Sequence, residues 1–130
     1  MIRGRRPASA AASERYAADK ELAGRFGELL AAARAADDAV VQAQARSAPL
    51  TVQRTLALAL DAALTAVMHA AYAAQRAQIG PRGYDDWIYR RKAKAKPGVR
   101  KLTAEAERLL TLREQHRLTG IADLPPSPVA

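Results

Sequence analysis

The stretch LALALDAALTAVMHAAYAA, residues 56–74, decides the fold class. Leucine and alanine occupy most of its positions, and only Asp61, Thr65 and His69 bring side chains of clear polarity. Alanine forms helix at no cost in side-chain entropy, and a helix that is apolar nearly all the way round belongs inside a protein. Leu56, Leu60, Leu64 and Val67 are therefore expected in the core. Upstream, Ser47-Ala48-Pro49 is a break and Thr51 a candidate cap; downstream, Gly80-Pro81 stops the helix after Ile79. Five polar positions, Arg54, Asp61, Thr65, His69 and Arg76, recur at steps of seven, four, four and seven, which makes one polar seam.

Reading outward from this helix, the same periodicity continues on both sides. From Ser9 or Ser13, either of which can cap, to about Arg46, the residues Leu22, Phe26, Leu29, Ala33, Ala36 and Val40 form one face of a first helix. Gly24 and Gly27 weaken it, marking either a bend or the close approach of a neighbour. Past Gly80-Pro81-Arg82-Gly83, Asp85 is expected to cap a short helix that runs through Arg90-Arg91-Lys92-Ala93-Lys94-Ala95-Lys96 and ends near Pro97-Gly98. A last helix starts at Val99 or Thr103, turns Leu102, Ala106, Leu109, Leu110 and Arg113 inward, and ends at Gly120 with Ile121 packing back. The expected fold is all-α: a small bundle of three to four helices over residues 9–121, preceded by a basic arm (1–8) and followed by an extended Pro-rich tail (122–130).

Charge is segregated along the chain. Of the net +8, residues 1–15 supply +3 and residues 82–101 supply +6, while 16–81 cancel and 102–130 come to −1. The richest segment sets Tyr84, Trp87 and Tyr89 beside Arg90, Arg91, Lys92, Lys94, Lys96, Arg100 and Lys101. Cationic side chains neutralise phosphates and release counterions, and aromatic faces stack on bases. Arg3, Arg5 and Arg6 form a second basic element of the kind that enters minor grooves. The alternative is that Trp87 and Ile88 anchor a short helix to the core and the cations are a solvated face.

Other classes are excluded or disfavoured. There is no cysteine, so disulfides and thiolate metal sites are out. The opening residues lack the apolar run of a signal peptide, and the expected location is cytoplasmic. A membrane span over Thr55–Ala74 would place Asp61 mid-helix at about 2.5–3.5 kcal/mol, which four leucines at about −0.5 kcal/mol each barely offset. Asp61 and His69 lie about 12 Å apart along a helix axis, too far to bond, and no metal-ligand spacing accompanies them. No catalytic residues and no cofactor are expected.

Two stretches resemble the small terminase subunits, helical DNA-packaging proteins of tailed phages. One is Arg3-Gly4-Arg5-Arg6-Pro7; the other is Lys96-Pro97-Gly98-Val99 with Ala104-Glu105-Ala106-Glu107-Arg108-Leu109-Leu110 and Thr119-Gly120-Ile121. No helix-turn-helix signature is present. The resemblance implies DNA binding, a ring-shaped homo-oligomer, phage or mobile-element origin and, for a phage product, association with the virion. Two functional classes remain open: a non-catalytic nucleic-acid-binding accessory protein, and a helical adaptor or assembly protein that docks its basic segment on an acidic protein surface. Charge segregation favours the first, and the thin alanine-rich core favours the second.

Overall fold

The structure, a computed structural model, describes residues 7–122 and 124. It is all-α. Five helices, α1 (Ala10–Gly24), α2 (Phe26–Ala45), α3 (Leu50–Ile79), α4 (Trp87–Ala93) and α5 (Pro97–Thr119), are joined by turns, with a 3-10 turn at Pro81–Tyr84. No strand occurs among the described residues. The expected basic arm, with Arg3, Arg5 and Arg6, and the Pro-rich tail from Pro125 onward lie outside the described residues.

The expectation of three or four helices is corrected to five because the first one breaks at Arg25. There the backbone sits at φ −90°, ψ 0°, and the Arg25 N–H turns to Leu22 O and Ala23 O. Gly24 and Gly27 flank the break, and a Cβ built on either would meet nothing within 4 Å. They therefore mark a bend and not a close approach. A second correction concerns caps. Ser9 caps α1 by accepting from the Ala12 N–H at 3.0 Å. Pro49, not Thr51, precedes α3, and Asp86, not Asp85, caps α4 by accepting from the Tyr89 N–H at 3.0 Å. Nor does Pro97 end the basic helix. α4 stops at Ala93, and Pro97 opens α5 at its first turn, where a missing N–H costs nothing.

α3 is the axis. Thirty residues make it about 45 Å long, and α1–α2 and α5 both run antiparallel to it. Side-chain pairs fix that register. Arg76 meets Asp19 of α1, Gln75 donates to Thr103 near the start of α5, and His116 near its end donates to Ala57 O at 3.2 Å. The core joins Leu30, Ala33 and Val40 of α2 to Leu60, Leu64, Val67, Met68 and Ala71 of α3 and to Ala106, Leu109 and Leu112 of α5. Leu56 is only half-buried at its rim. The inner face of α5 therefore runs through Leu112 and His116, while Leu102, Leu110 and Arg113 are half-buried. Gly120 adopts the expected left-handed stop at φ 74°, but Ile121 is 70% exposed and Ala122 and Leu124 pack on the core instead.

Across its middle, Leu56 to Ala74, only Leu58, Ala59, Ala62 and His69 of α3 are exposed, so the helix faces protein on most sides there, as expected, but its polar positions turn to different neighbours. Asp61 pairs with Arg117 of α5 at 2.7 Å while Arg76 pairs with Asp19 of α1 at 2.7 Å. The helix is long and apolar enough to cross a membrane, yet it packs against three others as the core helix of a bundle does. Between α2 and α3, Ser47 takes a left-handed conformation at φ 52° that usually falls to glycine. The Ala48 N–H to Ala43 O bond at 2.9 Å and the Ser47 N–H to Gln44 O bond at 3.1 Å close a Schellman motif around it.

Leu60 has no solvent exposure and sits where all three long helices meet. Leu60→Ala should lower unfolding stability by about 2–5 kcal/mol, read from urea denaturation, without changing helix content in the remaining folded fraction.

Candidate nucleic-acid interface

The basic segment is built at the end of the bundle where α3 stops and α5 begins. Gly80, at φ 100°, turns the chain, and the 3-10 turn folds back so that Gly83 lies against Ile79. A Cβ at Gly83 would fall 2.5 Å from Ile79 Cγ2, so only glycine allows this approach. α4 is then held by a small apolar cluster of Ile79, Ala93 and Val99 with Tyr89 packed on it. One alanine and one tyrosine make its apolar contacts, and of its other side chains all but Arg90 face outward.

The sequence candidates divide into three groups. Arg91, Lys92, Lys94, Lys96, Arg100 and Lys101 are exposed across the α4–α5 junction, and none has a salt-bridge partner among the described residues. Arg90 is half-buried, and its Nη1 donates to Gly83 O at 2.9 Å, so it braces the turn from which α4 starts. Trp87 is 60% exposed and Ile88 52% exposed, which removes both from the role of core anchor. Tyr89 takes that role instead. It is half-buried, and the Arg82 guanidinium lies 4.6 Å from its ring centroid, so that face is already covered.

Neither acidic residue of the segment neutralises the exposed cations. Asp86 accepts from the Tyr89 N–H and from Arg82 Nη2 at 3.3 Å, and the backbone bond with the Arg82 contact holds its carboxyl below the usual range. Asp85 reaches across to the start of α1, where Oδ2 accepts from the Ser9 N–H at 2.8 Å and Oδ1 from the Ser9 hydroxyl at 3.0 Å. Pro7, Ala8 and Ser9 thereby line one open groove with Arg82, Asp85, Asp86 and Trp87.

A second polar arrangement, invisible in the sequence, fastens α1 beside this surface. Asp19 accepts from Arg76 Nε at 2.7 Å, from Arg76 Nη2 at 3.0 Å and from the Tyr84 hydroxyl. Burial alone would raise the Asp19 carboxyl, but the bonds from Arg76 and Tyr84 overcome it and hold the group below its ordinary value. Burial and then Asp19 push the Tyr84 phenol up to about 12, so it remains a donor. Arg15 of α1 lies over the same ring at 5.1 Å. These partners are 57 to 69 residues apart, and no local spacing announces them.

No family model, curated protein or solved structure matches this chain.

Two outcomes follow from this geometry. Trp87→Ala should leave unfolding stability within about 0.5 kcal/mol, since the ring is exposed, and iodide should quench the single tryptophan of the native protein efficiently. The acid behaviour is also set. A carboxylate depressed in the folded state lends stability above its unfolded value of about 3.9 and loses it as pH falls through the folded value. Asp19 and Asp61, the latter depressed chiefly by the Arg117 bond, are such groups. Stability should therefore decline below about pH 4, and Asp19→Asn should lower it at pH 7 while flattening that decline, both read from urea midpoints.

Proposed function

We propose that this chain is a non-catalytic nucleic-acid-binding accessory protein that grips the phosphate backbone with the α4–α5 end of its bundle. One observation carries the reading: six exposed cations, Arg91, Lys92, Lys94, Lys96, Arg100 and Lys101, share that end without an ion-pair partner among the described residues. Three of them, Lys96, Arg100 and Lys101, stand at the start of α5, whose first turn has no acidic residue. Helix starts favour acidic side chains, because the unpaired N–H groups already carry partial positive charge. A cationic start opposes that preference, and a bound polyanion relieves it. Exposed Trp87 beside the cluster supplies a stacking face for unpaired bases. Arg3, Arg5 and Arg6 add three further positive charges to the chain, in keeping with a polyanionic partner.

DNA packaging or assembly is the finer form of this reading, supported by the resemblance to small terminase subunits. The second of the two resembling stretches spans α5 together with its Pro97 start and Gly120 stop. A cytoplasmic location, or a place in the virion for a phage product, belongs to the same proposal. A second reading, a helical adaptor or homo-oligomeric assembly protein, is favoured by a different observation. Leu50, Leu58, Leu118 and Ile121 are exposed at the opposite end of the bundle.

Salt dependence tests the first reading. Affinity for a generic duplex should fall with a log–log slope of about −0.9 per phosphate contacted. Replacing Arg91, Lys92, Lys94 and Lys96 by alanine should flatten the slope and weaken all sequences alike at unchanged helix content. Trp87→Ala should weaken single strands by about 1–3 kcal/mol and duplex hardly at all. Absence of binding at low salt would end this reading, and a mass in solution above that of one chain would then favour the assembly role.

A further inference from the structure

Beside the cation cluster, between α1, the end of α3, the 3-10 turn and α4, lies a small cavity of about 40 Å³. Arg15, Arg76 and Arg90 line it together with Tyr84, Ile79 and Gly83. Such a volume falls below that of pockets that enclose drug-sized molecules, so the occupant is a small group. Its electrostatics are unbalanced. Asp19 neutralises Arg76, and its two oxygens are taken up by that guanidinium and by the Tyr84 hydroxyl. Arg15 has no hydrogen bond or ion pair among the described residues and only covers the Tyr84 ring. Arg90 gives one N–H to Gly83 O and keeps the other donors of its fork. Two guanidinium charges with spare N–H groups thus face one small cavity.

We propose that this cavity holds a single phosphate group, bound by Arg15 of α1 and Arg90 of α4. Two cations match the charge of a phosphate monoester, and guanidinium forks match its oxygens through paired N–H donors. Tyr84 remains protonated beside Asp19 and adds no negative charge to the wall. The phosphate belongs either to a free ion or to the end of a nucleic-acid strand. This inference does not rest on the nucleic-acid reading, because inorganic phosphate alone can test it.

The experiment is a titration of the full chain with inorganic phosphate at constant ionic strength, followed by the arginine Nε–H resonances. Saturable shifts are expected. Arg15→Gln, which removes the guanidinium over the Tyr84 ring but leaves the Asp19 bonds to Arg76 and Tyr84 in place, should weaken them about tenfold or more at unchanged helix content, while the Lys94→Ala, Lys96→Ala double variant should leave them in place. Short single strands with and without a 5′-phosphate form the second arm. A preference for the phosphorylated end that disappears in Arg15→Gln assigns the cavity to strand ends, and saturation by inorganic phosphate without that preference assigns it to the free ion. Lack of saturation by inorganic phosphate, full affinity in Arg15→Gln, or equal binding of acetate would overturn the proposal.

Discussion

Everything in this molecule depends on α3 having something to pack against on two flanks while offering mostly small side chains. Ala70, Ala71 and Ala73 are buried along it, and they let neighbouring backbones come close without contributing much apolar area. The larger contribution comes from Leu60, Leu64, Val67 and Met68, which are confined to its middle. Polar fasteners supplement these apolar contacts along the helix. Arg76 holds α1 through Asp19, Asp61 holds α5 through Arg117, and Gln75 donates to Thr103 at 2.7 Å. Such bonds add little net energy each, but they fix register where alanine faces would slide.

The arrangement of charge follows from that economy. Because Ala93 and Tyr89, with the Arg90 bond to Gly83 O, keep α4 in place, Arg91 and Lys92 are left for the surface. Both carboxylates of the segment are used inside the protein, Asp86 as a cap and Asp85 as a link to Ser9. Neither carboxylate is ion-paired to the exposed cations, which therefore face solvent and concentrate positive charge at this end of the bundle.

Helix type and the core of α3 were legible in the sequence because they rest on local periodicity. Leu60, Leu64 and Val67 follow directly from steps of three and four. The break at Arg25 was only half legible: two glycines permit a bend, but whether the helix continues depends on what α3 offers opposite. Pro97 was read as a stop because proline excludes a helix interior, yet the same restriction makes it a good first residue, and the sense is set by the packing of Val99. Exposure of Leu58 and Trp87 could not be read from residue type, since it reflects which flanks of α3 and α4 have no neighbour. The Asp19, Arg76 and Tyr84 group was illegible altogether, because its members meet only after α1 has closed on α3 and the 3-10 turn.

The link from Asp85 to Ser9 joins residues 76 apart, and the other fasteners of α1 span similar lengths. By contrast α2 and α3 are joined by the short turn through Ser47, Ala48 and Pro49. Closing a long loop costs more entropy than closing a short one, so the order of assembly favoured by chain statistics starts with the α2–α3 hairpin and ends at the other pole. The arginine-lined cavity needs α1, the 3-10 turn and α4 all in position. Its appearance therefore reports completion of folding, and a chain still waiting for α1 displays its positive charges without the cavity that organises them.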